Sequence, residues 1–319
     1  MSKFFFFLVF LLAAKVYGQF APAAGQSGTT AIHKDSAAIV NWASSVYDFQ
    51  RGWEDVASPV AYASFGDSTA ALYAAEGNST DVVSLGDGGV ITLAFEYPIE
   101  NGVGPDFAVF ENSFSDDYLE FAHVEVSSDG ISFIRFPSTC LIENNVQTGP
   151  FGYSNPEAVH NLAGKYQQGY GTPFDLEDIA DSSNINLDSV LYVRLIDVVG
   201  SIDPVYGSHD HLGNLINDPY PTAFESGGFD LDGVGVIHEN NVFASQDNQQ
   251  QEWIQLYPNP ARDVITIRGE VQRLVIYNMS GKLMFENQDV VNCEVDLITF
   301  ESGVYSVLAD GNYYRFVKL

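Results

Sequence analysis

Short apolar runs separated by turn residues recur along the 319-residue chain. In residues 90–95, alternate positions place Ile91, Leu93 and Phe95 on one side of the backbone, as in a half-buried strand. Ser128-Asp129-Gly130 separates two such runs and predicts a hairpin with a glycine turn. The predicted strands of this region are residues 90–95, 123–127, 131–134, 191–199 and 229–238. These patterns favour an all-β body.

Two segments of the body depart from the strand pattern. Residues 36–49 place apolar side chains, including Ile39, Ala43 and Val46, three or four positions apart, which predicts a short amphipathic helix. Residues 140–187 are polar and punctuated by Gly, Pro and Asn. A stretch of this length without clear strands predicts a functional or edge-covering excursion from the sandwich rather than a second domain.

The last part of the chain has a denser strand pattern. Alternating apolar runs occupy residues 264–267, 274–277, 282–285, 304–307 and 313–318. Met279-Ser280-Gly281-Lys282 and Asp310-Gly311 have the composition of hairpin turns. This spacing predicts a small antiparallel, immunoglobulin-like β-sandwich.

Four motifs relate this C-terminal region to a known family. They are Leu256-Tyr257-Pro258-Asn259-Pro260-Ala261, Ile276-Tyr277-Asn278-Met279-Ser280-Gly281-Lys282, Ser302-Gly303-Val304-Tyr305-Ser306-Val307 and Phe316-Val317-Lys318-Leu319. Residues 253–319 resemble the C-terminal sorting domain of type IX secretion cargo. The resemblance implies recognition by the type IX secretion machinery, export across the outer membrane and cleavage on arrival. An ordinary terminal immunoglobulin-like module is the alternative.

The N-terminal residues agree with export. Lys3 precedes an apolar run at residues 4–14, and Val16-Tyr17-Gly18 follows it, which predicts a secretory signal peptide over residues 1–18. Eleven apolar residues are too few to span a bilayer core of about 30 Å, so no membrane span is expected. The predicted organisation is a signal peptide (1–18), a β-sandwich body (19–244), a linker (245–252) and the sorting domain (253–319).

Five segments of the body carry a second resemblance. They are Ser84-Leu85-Gly86-Asp87-Gly88-Gly89, residues 101–112 with Asp106-Phe107-Ala108-Val109-Phe110-Glu111-Asn112, residues 120–130 with Val124-Glu125-Val126-Ser127-Ser128-Asp129-Gly130, Leu195-Ile196-Asp197, and Gly227-Gly228-Phe229-Asp230-Leu231-Asp232-Gly233-Val234. Together they resemble a family of bacterial cell-surface proteins without an assigned activity. They are also similar to the jelly-roll sandwiches of discoidin-type and carbohydrate-binding modules. These resemblances imply a jelly-roll-like body and no particular chemistry.

Charge separates the body from the rest of the chain. Residues 19–252 contain 34 acidic and five basic residues. Such a surface repels phosphate groups, so nucleic acid is excluded as a partner. Divalent cations are the natural counter-ions, although an acidic surface that serves only solubility is the alternative.

Several aspartates lie on the apolar sides of predicted strands. Asp197 shares a side with Leu195, and Asp230 and Asp232 share a side with Val234. A buried charge has to be paired or bound to a metal, and Ca²⁺ takes carboxylate and carbonyl oxygens. We therefore expect a Ca²⁺ site, and its candidate ligands are Asp197, Asp230, Asp232, Asp106 and Glu111. Alternatively, these carboxylates lie exposed beyond bulges at strand ends and cap turns.

No motif for nucleophilic catalysis or zinc binding occurs in the sequence, and Cys140 and Cys293 are expected to be buried thiols rather than a disulfide. The predicted function is a secreted or cell-surface, non-catalytic binding or adhesion protein that is stabilised by Ca²⁺. Its expected ligand is an extracellular glycan, bound by loop tyrosines that could equally anchor their loops: Tyr153, Tyr166, Tyr170, Tyr206 and Tyr220. The alternative is a secreted glycosidase-type hydrolase that uses a carboxylate pair, such as Glu111 with Glu120 or Glu125.

Overall fold

The computed structural model describes residues 19–240, 254–278, 282–310 and 312–319. The chain forms two compact units, residues 1–241 and 242–319. The predicted signal peptide and linker lie outside the described residues, as do turn residues 279–281 and Gly311.

The body consists of short strands joined by long loops. In chain order its strands are β1 (Ile32–His33), β2 (Asn41–Trp42), β3 (Ser45–Gln50), β4 (Val83–Ser84), β5 (Val90–Ile99), β6 (Phe107–Glu111), β7 (Ala122–Ser127), β8 (Ile134–Arg135), β9 (Thr139–Cys140), β10 (Val159–His160), β11 (Tyr170–Phe174), β12 (Val190–Asp197) and β13 (Asp230–Val236). The described helices are single 3₁₀ turns at Ser68–Ala71, Pro156–Ala158 and Leu176–Ile179. The body is therefore all-β.

Two antiparallel sheets make up the sandwich. The first has the order β1-β11-β6-β13-β2, with β4 also paired to β13, and the second has the order β3-β5-β12-β7-β8. The chain alternates between them, because β5, β7 and β12 belong to the second sheet whereas β6, β11 and β13 belong to the first. This alternation is the jelly-roll-like arrangement that the sequence predicted.

The main core lies between the two sheets. Phe107 of the first sheet stacks on Phe174 with ring centroids 5.3 Å apart, and both belong to one buried cluster with Leu93 and Leu195 of the second sheet. On β12, Val193, Leu195 and Asp197 are all buried, as the period-two pattern predicted. The predicted hairpin is also present, since Val126 of β7 pairs with Ile134 of β8.

The helix predicted at residues 36–49 is wrong. This segment forms β2 and β3, and its backbone bonds to both sheets: the Ala43 N–H donates to the Val234 carbonyl, and the Ser44 N–H donates to the Ala94 carbonyl. Val40 is 58% exposed, so the apolar residues do not share one buried face. Unpaired sheet edges offer long-range hydrogen bonds, and these outweigh a weak local helical pattern.

The excursion predicted at residues 140–187 is only partly correct. The segment does contain long loops, but β11 is an inner strand of the first sheet, between β1 and β6. The sequence of β11 is Tyr170-Gly171-Thr172-Pro173-Phe174. Gly and Pro are disfavoured in inner strands, so this sequence did not predict a strand. Gly171 is required by packing, because a Cβ there would lie 2.7 Å from the Phe110 ring.

The C-terminal unit is a curled antiparallel sheet of five strands. Its strands are β14 (Ile254–Tyr257), β15 (Val264–Asn278), β16 (Leu283–Asp296), β17 (Gly303–Ala309) and β18 (Asn312–Lys318). They are ordered β14-β15-β17-β18, with β16 also paired to β15. Predicted strands 264–267 and 274–277 are thus one long strand, with a register shift between Ile267 and Glu270.

The two cysteines are free thiols. Cys140 is buried, as expected, whereas Cys293 is only half-buried.

Phe107 is fully buried and contacts the rings of Phe136 and Phe174. Phe107→Ala should lower the free energy of unfolding by about 3–5 kcal/mol, because it removes a ring and leaves a cavity. Phe114→Ala is the control, since Phe114 is 65% exposed, and it should cost less than about 1.5 kcal/mol. Urea unfolding measures both, and equal effects would contradict the assigned core.

Candidate functional site

Six acidic side chains lie near one another at one end of the body sandwich, and each is at most 8% exposed. We call them the carboxylate cluster: Asp87, Glu111, Glu120, Asp197, Asp218 and Asp230. Each of them shifts the ionisation of at least one other member, or is shifted by one. Carboxylates are rarely this buried in such number, so the cluster is the leading candidate for a functional site.

Strand register brings the cluster together. Glu111 ends β6, and the register places it opposite Leu231, next to Asp230 at the start of β13. Asp197 ends β12 opposite Ala122, two residues after Glu120. The ends of strands from both sheets therefore meet at this point.

Asp197 and Asp230 have hydrogen-bond donors on both carboxylate oxygens. Asp197 accepts from the backbone N–H of Phe229 at 2.7 Å and of Gly88 at 2.9 Å. Asp230 accepts from the Ser84 hydroxyl and from the Asn112 amide, the latter at 3.2 Å. These donors fix both carboxylates in place, but none of the donor groups carries a charge.

Glu111 and Asp218 are satisfied on one oxygen only. Oε2 of Glu111 accepts from the Ser113 N–H at 2.9 Å, and Oδ2 of Asp218 accepts from the Phe121 N–H at 2.9 Å. Among the described residues, Glu111 Oε1 and Asp218 Oδ1 are buried without a hydrogen-bond partner. Leaving such a group unpaired costs about 1–3 kcal/mol, and more if it is charged.

Burial is the main cause of the pKa shifts in the cluster, and repulsion between carboxylates adds to it. The pKa of Asp197 is raised to about 8, and those of Asp87 and Asp230 are raised to about 6. The pKa values of Glu111, Glu120 and Asp218 also lie well above the ordinary range. At neutral pH the cluster therefore favours any partner that neutralises it.

Basic side chains do not supply this neutralisation. Among the described residues, no member of the cluster forms an ion pair. Of the five basic residues of the body, Arg51 is close enough to lower the pKa of Asp230, but its guanidinium donates to backbone carbonyls. The other four have partners elsewhere: Lys34 bonds to Asp35, Arg135 and Arg194 bond to Glu125, and Lys165 donates to the Val159 carbonyl.

Two of the predicted ligands lie outside the cluster. Asp106 precedes β6, at the opposite end from Glu111, and accepts from the N–H groups of Gly102 at 2.7 Å and Leu176 at 2.6 Å. Asp232 accepts from the N–H groups of Glu76 at 2.9 Å and Gly77 at 2.8 Å. Both carboxylates anchor loops to the first sheet.

The structure thus brings together Asp197, Asp230 and Glu111 of the predicted set and adds Glu120, Asp218 and Asp87. Glu120 had a usable sequence signal, since it interrupts the apolar run Leu119-Glu120-Phe121-Ala122. Asp218 and Asp87 lie in loops, where the sequence has no regular alternation that predicts whether a side chain is buried or exposed.

In their present positions, the side chains of the cluster do not by themselves form a metal coordination shell. Within residues 19–240 and the described parts of the C-terminal unit, no three His, Cys, Asp or Glu side chains form a metal-holding group. An ion in this position would need backbone carbonyls or water to complete its coordination, as Ca²⁺ commonly accepts.

Comparison with known proteins identifies the C-terminal unit. Residues 255–318 match the family described as the secretion system C-terminal sorting domain. The predicted sorting domain is confirmed, and the chain is exported by the type IX system to the cell surface or the extracellular space. No described helix is long and apolar enough to cross a membrane.

Other comparisons add little. No curated protein matches the chain. It is similar to PorZ, an essential bacterial surface component of the type-IX secretion system of Porphyromonas gingivalis, at 20% identity. The match covers 28% of this chain and 14% of the PorZ chain, and its TM-score of 0.19 is too low to relate the two folds.

The raised pKa values of the cluster predict a pH dependence in the presence of a chelator. A carboxyl group whose pKa is higher in the folded state binds its proton more tightly there than in the unfolded chain. Its contribution to stability is fully present below the unfolded-state pKa of 3.8. This contribution is lost as pH rises through the folded-state pKa, which is about 6 for Asp230 and about 8 for Asp197. The free energy of unfolding should fall by several kcal/mol from about pH 4.5 to about pH 8.5, because a pKa that is higher by one in the folded state corresponds to about 1.4 kcal/mol. Urea unfolding across this range in EDTA measures it. Constant or rising stability would contradict the assignment.

The sorting domain predicts the route of export. A chain that lacks residues 253–319 should remain in the periplasm, and a foreign domain fused to these residues should reach the cell surface. Fractionation and surface proteolysis measure both. Unchanged surface display of the shortened chain would contradict the role of the domain.

Proposed function

We propose that this type IX cargo is a non-catalytic cell-surface binding protein, that Ca²⁺ in the carboxylate cluster stabilises its body, and that its ligand is a glycan. The observation that carries the proposal is the burial of six carboxyl groups without a basic partner among the described residues. An ion held by the ends of β6, β12 and β13 would join both sheets.

Calcium suits the cluster better than other ions do. The available donors are all oxygens, and Glu111 Oε1 and Asp218 Oδ1 have no other described partner. Ca²⁺ accepts six to eight oxygens in irregular geometry and takes loop carbonyls readily. Mg²⁺ requires a compact octahedron and retains its waters, so we expect it to substitute poorly.

The same burial argues against a carboxylate-dependent hydrolase. A glycosidase places its two carboxyl groups on either side of a substrate bond, so a sugar must reach both. Glu111 is 1% exposed and Glu120 is 8% exposed, which leaves no access for a sugar ring. Burial and repulsion between carboxylates account for the raised pKa values of the cluster without a catalytic role.

Of the five predicted tyrosines, two are buried anchors, and Tyr153 is more exposed than Tyr206, which is 38% exposed. Tyr166 is 1% exposed and bonds to Thr30, while Tyr220 is 9% exposed and donates to Asp55 at 3.0 Å. Tyr153 is 71% exposed and is therefore available to the face of a sugar. This exposure supports the glycan part of the proposal.

Calcium should raise the melting temperature of the full-length chain by roughly 5 °C or more relative to EDTA at about pH 8. Binding to the folded state alone contributes about 2.7 kcal/mol at a hundredfold excess over Kd, and 1 kcal/mol corresponds to about 2–4 °C for a domain of this size. Glu111→Gln with Asp218→Asn should remove most of this response. In EDTA the double variant should melt at or above the wild type, because it has fewer repelling charges.

The matched control is Asp81→Asn with Glu143→Gln, which removes two exposed carboxylates from the same body. This variant should keep the full response to calcium. Identical wild-type melts in calcium and EDTA would contradict the proposal, and so would an equal loss of response in the control.

A further inference from the structure

A solvent-open cleft of about 630 Å³ lies beside Tyr153, distinct from the carboxylate cluster. Three loop segments line it: residues 115–117 after β6, residues 153–157 before β10, and residues near Ala23. Its volume lies within the range of about 300–1,000 Å³ that is usual for small-ligand sites.

Hydrogen bonds hold these segments together. The Ser154 N–H donates to the Asp117 carbonyl at 2.6 Å, and the Ser115 hydroxyl donates to Asp117 Oδ1 at 2.7 Å. The Phe20 N–H donates to the Glu157 carbonyl at 3.1 Å. The walls are therefore positioned before a ligand arrives, which reduces the entropy cost of binding.

Two polar atoms of the lining lack a partner among the described residues. They are Ser154 Oγ and Asp116 Oδ1, both of which are buried. Ser154 is only 5% exposed and lies in the wall of the cleft. Buried polar atoms are nearly always hydrogen-bonded, so these two atoms point to a polar occupant.

The chemistry of the lining favours a polyhydroxylated ligand. Asp116, Asp117 and Glu157 supply acceptors, Asn155 and Ser154 can both donate and accept, and no basic side chain lines this described cleft. Hydroxyl groups, which also donate and accept, match such a set. The exposed ring of Tyr153 offers an apolar face for a pyranose.

We propose that this cleft binds a neutral glycan, with Tyr153 stacking on a sugar ring and Asp116 and Ser154 bonding to its hydroxyl groups. The inference rests on the proposed glycan-binding function and gives it a site. The three acidic side chains should repel uronic acids and sulfated sugars, so the preference is for uncharged polysaccharides.

The test is affinity electrophoresis of the full-length chain, in calcium, through gels that contain mannan, xylan, dextran, galactan, polygalacturonate or chitosan. At least one neutral polysaccharide should retard the wild type, and polygalacturonate should not. Tyr153→Ala and Ser154→Ala should each weaken the retardation about tenfold or more. Ser154→Ala should also leave the melting temperature unchanged or raised, since the hydroxyl has no described partner to lose.

Tyr73→Ala is the matched control, because Tyr73 is a similarly exposed tyrosine, at 66%, outside the cleft. It should bind as the wild type does. Retardation that persists in Tyr153→Ala would place glycan binding elsewhere and overturn this inference alone. Absence of retardation by every neutral polysaccharide would overturn the glycan function as well. Retardation only by chitosan, lost above about 0.3 M salt, would identify a site for cationic groups instead.

Discussion

Taking an ionised carboxylate out of water costs several kcal/mol unless opposite charge replaces the water. The body of this protein buries six carboxyl groups at one end of its sandwich. Backbone amides and one amide side chain reduce the cost for Asp197 and Asp230, but Glu111 and Asp218 each keep an unpaired buried oxygen among the described residues. Protons or a cation must complete the neutralisation, and protons become scarce above the raised pKa of about 8 for Asp197.

The jelly-roll-like topology places the buried carboxyl groups at a point where both sheets meet, so their charge affects the stability of the whole body. Because the chain alternates between the sheets, the cluster joins ends of β6 and β13 in one sheet to the end of β12 in the other. Glu111 and Glu120 also stand at the two ends of the loop that carries Asp116 and Asp117. A cation in the cluster would therefore hold the loop that forms one wall of the proposed glycan cleft. The sorting domain directs export of the body to the cell surface or the extracellular space.

Local patterns predicted the parts of this arrangement that depend on local physics. The alternation of side chains along β12 predicted that Asp197 is buried with Val193 and Leu195, and the alternation along β13 predicted that Asp230 is buried. It failed where long-range pairing decided the outcome, as in β3, which formed on a sheet edge from a helix-like sequence. It also failed at β11, where Gly171 and Pro173 disguised an inner strand. Asp218 could not be found at all, because its burial depends on a loop folding back onto Phe121.

We propose that one divalent cation, together with the protons that the raised pKa values retain, neutralises the carboxylate cluster. The most direct measurement is anomalous diffraction from crystals of the protein grown in calcium at about pH 8. We expect one anomalous peak within about 2.3–2.6 Å of Glu111 Oε1 and Asp218 Oδ1, together with neighbouring carbonyl or water oxygens. A cluster without a peak, in crystals where the carboxylates instead lie within hydrogen-bond distance of one another and share protons, would contradict the claim.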